Sequence, residues 1–137
     1  MNFKEILTSA KTLAIIGCSA EPNRTSFGIA RQMQRKGYRI IPVNPNYDEV
    51  LGEKCYDNIT SIPEDLKFDI AVIFRNKAHT KKMVDSIVER SQATGQNPII
   101  WTQLDVSSPE AERLADMYGL SYVKNHCIAV EYAKHMG

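Results

Sequence analysis

The chain has few cysteines, few histidines, almost no net charge and no long apolar run, and each shortage excludes a class of protein. Cys18, Cys55 and Cys127 are odd in number and widely spaced, so they form neither a disulfide framework nor a zinc pattern. The three histidines are far apart and show no H-x-x-x-H spacing, so we expect no metal site. No apolar stretch approaches the roughly 20 residues that a membrane helix needs, and we find no signal peptide. We therefore expect a protein of the reducing cytoplasm, away from the membrane.

The charge balance gives no indication of a polyanionic partner. Lys and Arg number 17 and Asp and Glu 16, so the formal net charge is +1. That balance gives no strong field for nucleic acid or for a membrane surface. The chain length of 137 residues predicts one domain, residues 1–137, large enough for a core of its own. No protein partner can be inferred from the sequence.

Apolar runs alternate with helical segments five times along the chain. The runs are continuously apolar, as in strands that are buried on both faces. Alternation of this kind predicts an α/β protein, a single Rossmann-like, doubly wound sheet of about five parallel strands with helices on both faces. The segment 46–61 is expected to be a loop with a helical turn. We expect strands at 12–16, 38–43, 69–74, 99–101 and 120–123, and helices at 2–10, 26–36, 79–94, 109–118 and 128–135.

Small, polar, aromatic or cationic residues follow each predicted strand. In a parallel sheet the carboxyl ends of the strands lie at one edge, where ligands of such folds bind. We therefore expect a shared site at that edge. No single motif carries this prediction; the convergence of several loops does. The residues at the strand ends are 17–19, 43–45, 74–75, 101–103 and 124–127.

The loop after the first strand has the chemistry of a phosphate site. Gly17 allows close backbone approach, and the amino end of the following helix attracts anions through its N–H groups and dipole. Ser19, Thr25 and Ser26 add hydroxyl donors, and Arg24 adds a planar, bidentate cation. A purely structural interpretation is equally open, in which Gly17 makes the turn and Thr25 or Ser26 caps the helix.

The same loop departs from the dinucleotide fingerprint G-x-G-x-x-G. The second and third glycines would fall where the chain has Ser19 and Pro22. The acidic residue that binds a ribose hydroxyl in NAD proteins should end the second strand, where Asn44-Pro45 stands instead. Arg24 and the missing acid favour a ligand with an additional phosphate. Both NADP and coenzyme A fit that description, and the residues alone do not separate them.

Several stretches follow one another in a recognisable order along the chain: IIGCSAEPNRTSFGIA (15–30), GYRIIPVNP (37–45), LGEKCY (51–56), IP (62–63), FR (74–75), WTQL (101–104), and Cys127 with Glu131. Together they resemble the small, single-domain CoA-binding proteins, whose fold is similar to the CoA-binding domain of the succinyl-CoA synthetase alpha subunit. The resemblance covers nearly the whole chain from residue 12 onward. It departs at two positions, since the family often has glycine where this chain has Asp105 and arginine where it has His126.

The resemblance implies that CoA or acyl-CoA lies across the carboxyl edge of the sheet. It places the pyrophosphate at the first loop, the adenosine near the end of the second strand and the pantetheine along the next two strand ends. The phosphorylated histidine of the synthetase belongs to a second domain, so the resemblance does not imply ligase chemistry. The implied cofactor-binding residues are Gly17, Cys18, Ser19, Arg24, Thr25 and Ser26 at the first loop, Val43, Asn44 and Pro45 at the second, and Phe74, Arg75, Trp101, Thr102 and Gln103 beyond it.

The expected function is therefore CoA or acyl-CoA binding without robust catalysis, and no residue is assigned a catalytic or metal-binding role. One alternative is an enzyme that depends on NADP or another nucleotide. Another is a thiol protein in which Cys127 reacts with acyl-CoA or forms a disulfide with CoA, although a buried packing role for this cysteine is favoured. Trp101 either stacks against the ligand or fills the end of the sheet. Cys18 and Cys55 are expected to pack.

Overall fold

The structure is a computed structural model that describes residues 2–136, and its centre is a five-stranded parallel sheet. The strands lie in the order β2-β1-β5-β6-β7, and β3 and β4 form a separate two-stranded hairpin. The strands are β1 (Thr12–Ile16), β2 (Arg39–Val43), β3 (Glu49–Val50), β4 (Glu53–Lys54), β5 (Ile70–Ile73), β6 (Ile99–Thr102) and β7 (Tyr122–Val123). The helices are α1 (Phe3–Ser9), α2 (Thr25–Arg35), α3 (Thr80–Thr94), α4 (Pro109–Met117) and α5 (Ile128–Met136).

The strand order reverses at β1, which confirms the doubly wound α/β sheet. β1 pairs in parallel with β2 on one side and with β5 on the other. The chain therefore leaves β1 toward one edge of the sheet and later builds outward from β5 toward the opposite edge. A crevice opens at the carboxyl ends of strands that diverge in this way. In this fold that crevice lies beside Gly17, at the end of β1.

Helices cover both faces of the sheet because successive side chains of each strand point to opposite sides. Ala14 and Ile16 of β1 pack in a core with residues of α3 and α4. Leu13 and Ile15 of the same strand pack in a second core with residues of α1, α2 and α5. The continuous apolar runs in the sequence are thus explained by burial from both sides.

The helix ends follow local sequence signals, with one exception. Ser108 caps α4 by accepting a hydrogen bond from the Ala111 N–H, and Pro109 occupies the first turn, as predicted. Gly95 ends α3 with a φ of 76°. The exception is α2, where neither Thr25 nor Ser26 is the capping residue. Arg24 occupies that position, and its side chain makes no capping hydrogen bond.

Segment 46–61 holds a hairpin that the sequence analysis missed. The hairpin turns at Leu51 and Gly52, whose φ angles are 54° and 77°, and the Leu51 carbonyl accepts from Gln34 of α2. Positive φ at both turn residues is the geometry of a type I′ turn, but leucine is a rare residue there, so the signal was weak. The expected helical turn is present as a 3-10 helix, Ile59–Ser61.

Tyr56, two residues after the end of the hairpin, also protects the outer edge of β2. The Tyr56 N–H donates to the Pro42 carbonyl at 3.0 Å, and the Tyr56 carbonyl accepts from the Asn44 N–H at 2.9 Å. Pro42 has no N–H of its own, so it costs nothing at this edge position.

Arg90 of α3 is a buried cation with a structural role. Its guanidinium donates to the carbonyls of Ile62, Pro63 and Leu66 at 2.6, 2.8 and 2.9 Å. The guanidinium also lies over the Phe68 ring, 5.1 Å from its centroid. Burial lowers the pKa of Arg90 from its ordinary value. These contacts fix the loop between the 3-10 helix and β5. Within residues 2–136, no helix has both the length and the apolar character to cross a bilayer.

Candidate functional site

A polar cleft of about 720 Å³, here called the main cleft, opens at the carboxyl ends of β1, β2 and β5. The structure brings eight of the predicted site residues to its lining. Six residues that were not predicted line it as well. Asn46, Tyr47, Asn76 and His79 follow β2 and β5, and that position was the available signal; Glu21 and Asn23 belong to the first loop itself. The predicted residues in the main cleft are Gly17, Ser19, Arg24, Thr25, Ser26, Asn44, Phe74 and Arg75.

The amino end of α2 faces the main cleft with donors that have no partner in the helix. The first intrahelical hydrogen bond joins the Gly28 N–H to the Arg24 carbonyl, so the N–H groups of residues 25–27 have no intrahelical acceptor. Ser26, which is 8% exposed, uses its Oγ to accept from the Ser19 N–H at 3.0 Å. The Ser19 Oγ accepts from Glu21 N at 3.0 Å. The serines therefore fix the loop shape and leave the helix N–H groups for an anion.

Gly17 and Arg75 are in direct contact across the crevice. Gly17 has a φ of 86°, and its N–H donates to the Val43 carbonyl at 2.8 Å. A Cβ atom on Gly17 would lie 2.9 Å from Cδ and 3.2 Å from Cγ of Arg75. The glycine is therefore required for two reasons, the backbone conformation and the room that it gives to the Arg75 side chain.

Asn44 joins the loops after β1 and β2. Its side-chain amide donates to the Cys18 carbonyl at 3.1 Å and accepts from Asn46 N at 3.0 Å. The Cys55 thiol donates to the Asn44 carbonyl at 3.4 Å. The position at which NAD proteins hold an acid is thus occupied by an amide that shapes the cleft.

Cys18 lies beneath the first loop and not in the cleft. Its side chain is 0% exposed, and burial, assisted by nearby Cys55, raises its pKa to about 12. Burial also raises the pKa of Cys55. Both residues pack in the core that contains α1, α2 and α5, which confirms the packing interpretation for these two thiols.

A second cleft of about 380 Å³, here called the side cleft, lies on the α3 side of the sheet. It shares Gly17 and Arg75 with the main cleft, so Arg75 separates the two spaces. The predicted residues Val43 and Pro45 line this second space. Its remaining lining residues come from the end of β1, from the segment around the 3-10 helix and from α3: Ile16, Asp57, Asn58, Ile59, Thr60, Lys82, Met83, Ser86 and Glu89.

The two clefts differ in charge. Arg24 and Arg75 face the main cleft against a single carboxylate, that of Glu21. The side cleft balances Arg75 and Lys82 against two carboxylates. Among the described residues, neither arginine forms a salt bridge; the ion pairs of the chain lie elsewhere. The main cleft is therefore the space suited to phosphate, and the side cleft is suited to a ligand part of low net charge.

The structure does not bring Trp101, Thr102 and Gln103 to either cleft. Trp101 is 0% exposed, its indole N–H donates to the His126 carbonyl at 2.8 Å, and its ring packs against Phe3. The Thr102 hydroxyl donates to the Val123 carbonyl at 2.7 Å. The Gln103 side chain accepts from Ile128 N at 2.9 Å and so caps the start of α5. These three side chains join β6 to β7 and α5, and they line neither cleft; their predicted place on a ligand path stays a prediction.

The two positions that depart from the family pattern both have a structural explanation. Asp105 has a φ of 64°, a left-handed conformation that glycine adopts without strain and that aspartate tolerates. His126 Nδ1 lies 3.4 Å from a carboxylate oxygen of Glu131, which also faces Lys134 and His135. An arginine at position 126 would make that contact a permanent ion pair. Cys127, next to His126, is half-buried and lines neither cleft.

The fold and the main cleft together define a doubly wound α/β protein with a polar, arginine-lined cleft at its switch point. The model of a family described as "CoA binding domain" matches residues 11–133. The chain therefore belongs to the CoA-binding domain family.

Known proteins similar to this chain fall into two kinds. One kind has about the same length: an uncharacterized Bacillus subtilis protein, YneT, is 34% identical over 130 residues, which is 95% of this chain and 91% of that protein. A solved hypothetical protein from Pyrococcus horikoshii superposes with a TM-score of 0.90 at 32% identity, covering 98% of this chain and 90% of the other. The second kind is longer. An Archaeoglobus fulgidus acetate–CoA ligase (ADP-forming) is 27% identical over 135 residues, 92% of this chain but 19% of the ligase.

Proposed function

We propose that this protein binds coenzyme A or acyl-CoA and has no robust catalytic activity of its own. The observation that carries the proposal is the pair of arginines without acidic partners, Arg24 and Arg75, beside the free N–H groups of α2 in the main cleft. CoA carries a pyrophosphate and an additional ribose phosphate, which demand several strong donors at one place. Membership of the CoA-binding domain family supports the same ligand.

The shapes of the two clefts support one orientation of the ligand. The pyrophosphate occupies the main cleft against the amino end of α2, with Arg24 and Arg75 on its oxygens and on the ribose phosphate. The adenosine enters the side cleft, where Val43, Pro45 and Met83 offer apolar contact. The pantetheine leaves the main cleft along Phe74. In this arrangement Arg75 touches both halves of the nucleotide, because it lies between the clefts.

A binding role rather than a thiol-based reaction is supported by the state of the cysteines. Cys18 is the cysteine closest to the phosphate loop, and its raised pKa keeps it protonated at neutral pH, so it is a poor nucleophile. Cys127 lies outside both clefts. All three cysteines are free, which supports our proposal of a cytoplasmic location.

Calorimetric titration with CoA, acetyl-CoA, dephospho-CoA and NADP tests the proposal. We expect CoA and acetyl-CoA to bind, dephospho-CoA to bind more weakly, and NADP to bind weakly or not at all. Arg24→Ala and Arg75→Ala should each weaken CoA by roughly tenfold or more, the loss expected for a charged hydrogen bond. Arg113→Ala is the matched control, because Arg113 is exposed on α4 and pairs with Glu110.

Three results would contradict the proposal. Absence of CoA binding at millimolar ligand would remove it altogether. Tighter binding of NADPH than of CoA, with a change in its fluorescence, would favour the nucleotide-dependent enzyme instead. Acyl transfer or a protein–CoA disulfide that disappears in Cys127→Ser would favour the thiol protein.

A further inference from the structure

The side cleft is bounded on one side by a regular stripe of α3. Lys82, Ser86 and Glu89 all line it and are spaced by four and three residues, so they lie on one face of the helix. Met83, also on α3, and Ile59, in the 3-10 helix, are apolar and line the same cleft. A flat aromatic base in this cleft would therefore meet apolar side chains as well as the polar groups of the stripe.

The stripe has a direction relative to the phosphates. α3 begins just after the carboxyl end of β5, and a crossover helix runs back toward the amino ends of the strands. Lys82, in its first turn, is therefore the member nearest the main cleft. Glu89 is the farthest, about 10 Å further along the helix axis. A nucleoside whose phosphates are held in the main cleft would point its base toward Glu89.

The stripe residue at that distant end is a hydrogen-bond acceptor. Glu89 is an exposed carboxylate, and within the part of the chain that the structure describes it has neither a salt bridge nor a side-chain hydrogen bond. An ionised carboxylate accepts hydrogen bonds and donates none. It matches the exocyclic amine of adenine, and it repels the 6-oxo group that hypoxanthine and guanine present at the same position.

We propose that Glu89 selects adenine over 6-oxopurines in the ligand, by accepting a hydrogen bond from the exocyclic amine. This inference rests on the proposed function, because it needs the phosphates of CoA in the main cleft. Asp57 faces the same cleft from the segment after β4, but it is not on the α3 stripe. The assignment to Glu89 depends on its place at the far end of that stripe.

The experiment compares CoA with its hypoxanthine analogue, obtained by deamination of the adenine ring, by calorimetry with the full chain. We expect the wild-type protein to bind CoA roughly tenfold more tightly than the analogue, as for one lost charged hydrogen bond. Glu89→Gln offers both an acceptor and a donor at the same length, so the two ligands should then bind about equally. Asp85→Asn is the matched control on α3, since Asp85 is exposed and pairs with Lys81, and it should keep the wild-type ratio.

The outcomes separate this inference from the proposed function. If the wild-type protein binds neither ligand, the proposed function fails and the inference falls with it. If CoA binds but the wild-type ratio is close to one, or if Glu89→Gln keeps the preference for adenine, Glu89 does not select the base although CoA binding stands. If Asp57→Asn loses the preference for adenine while Glu89→Gln keeps the wild-type ratio, Asp57 and not Glu89 selects the base. Circular dichroism melting of each variant controls for folding.

Discussion

Substitution of Gly17 by alanine separates the two tasks of this glycine, its backbone conformation and the space that it leaves for Arg75. Its φ of 86° lies in the left-handed region, where an alanine costs about 1–2 kcal/mol of stability. The added Cβ would also lie 2.9 Å from Arg75 Cδ, so the flexible side chain must move away from the loop. We therefore expect Gly17→Ala to lose both stability and ligand affinity.

Gly119→Ala supplies the matched control. Gly119 has a φ of 73°, but a Cβ added there meets nothing within 4 Å, and the residue lies between α4 and β7, away from both clefts. Both variants should lose about 1 kcal/mol of unfolding free energy. The backbone strain destabilises each of them, and the lower conformational entropy of the unfolded chain offsets a small part of that loss. Only Gly17→Ala should weaken CoA binding, by roughly 10- to 100-fold, because Arg75 no longer reaches the phosphates.

Urea unfolding and calorimetry measure the two quantities on the same samples. The proposed role of Arg75 would be refuted if Gly17→Ala bound CoA as tightly as Gly119→Ala at equal stability. Combining Gly17→Ala with Arg75→Ala provides a second check. Since both changes remove the same contact, the double variant should bind little worse than Arg75→Ala alone; fully additive losses would show that Gly17 acts on the ligand by another route.

Two further predictions concern buried groups. Because the pKa of Cys18 is raised in the folded protein, its thiol stays protonated there and ionises only after unfolding. The contribution of this thiol to the unfolding free energy is therefore fully present below pH 9 and is lost as the pH rises toward 12. Between pH 9 and 10 the wild-type unfolding free energy should fall about 1 kcal/mol more than that of Cys18→Ala, and parallel urea profiles would contradict this. Arg90→Met should lower the unfolding free energy by about 3 kcal/mol, because three carbonyl groups lose their donor. Urea unfolding measures this loss. A loss below about 1 kcal/mol would mean that water replaces the guanidinium.

The pattern of apolar residues and the residues that cap or end helices were sufficient to predict the sheet and most helix ends. The apolar runs matched buried parallel strands, and Ser108-Pro109 and Gly95 marked helix ends, because each signal acts through the local backbone. The hairpin at Leu51 was missed because no strong local signal marks its turn. Its turn uses a leucine in a conformation that leucine rarely adopts, and it is supported by a contact with α2 that no local pattern contains.

The candidate site was predictable in part because strand ends converge. The first loop and Arg75 follow β1 and β5 directly, so topology alone placed them together. Trp101, Thr102 and Gln103 also follow a strand but line neither cleft, since a polar group after a strand can serve the next element of the fold, as these do for β7 and α5. The spacing of Lys82, Ser86 and Glu89 by four and three residues puts them on one face of a helix. Only the structure shows that this face of α3 lines a cleft.

The hydrogen bonds of Tyr56 to β2 have a consequence for the behaviour of the protein in concentrated solution. An unpaired edge strand is a template on which another chain can add a strand and begin to aggregate. Here Tyr56 occupies the outward-facing carbonyl of Pro42 and the outward-facing N–H of Asn44, and Pro42 offers no donor of its own. The end of this edge nearest the clefts is thereby occupied, so a foreign strand cannot pair with β2 beside the candidate site.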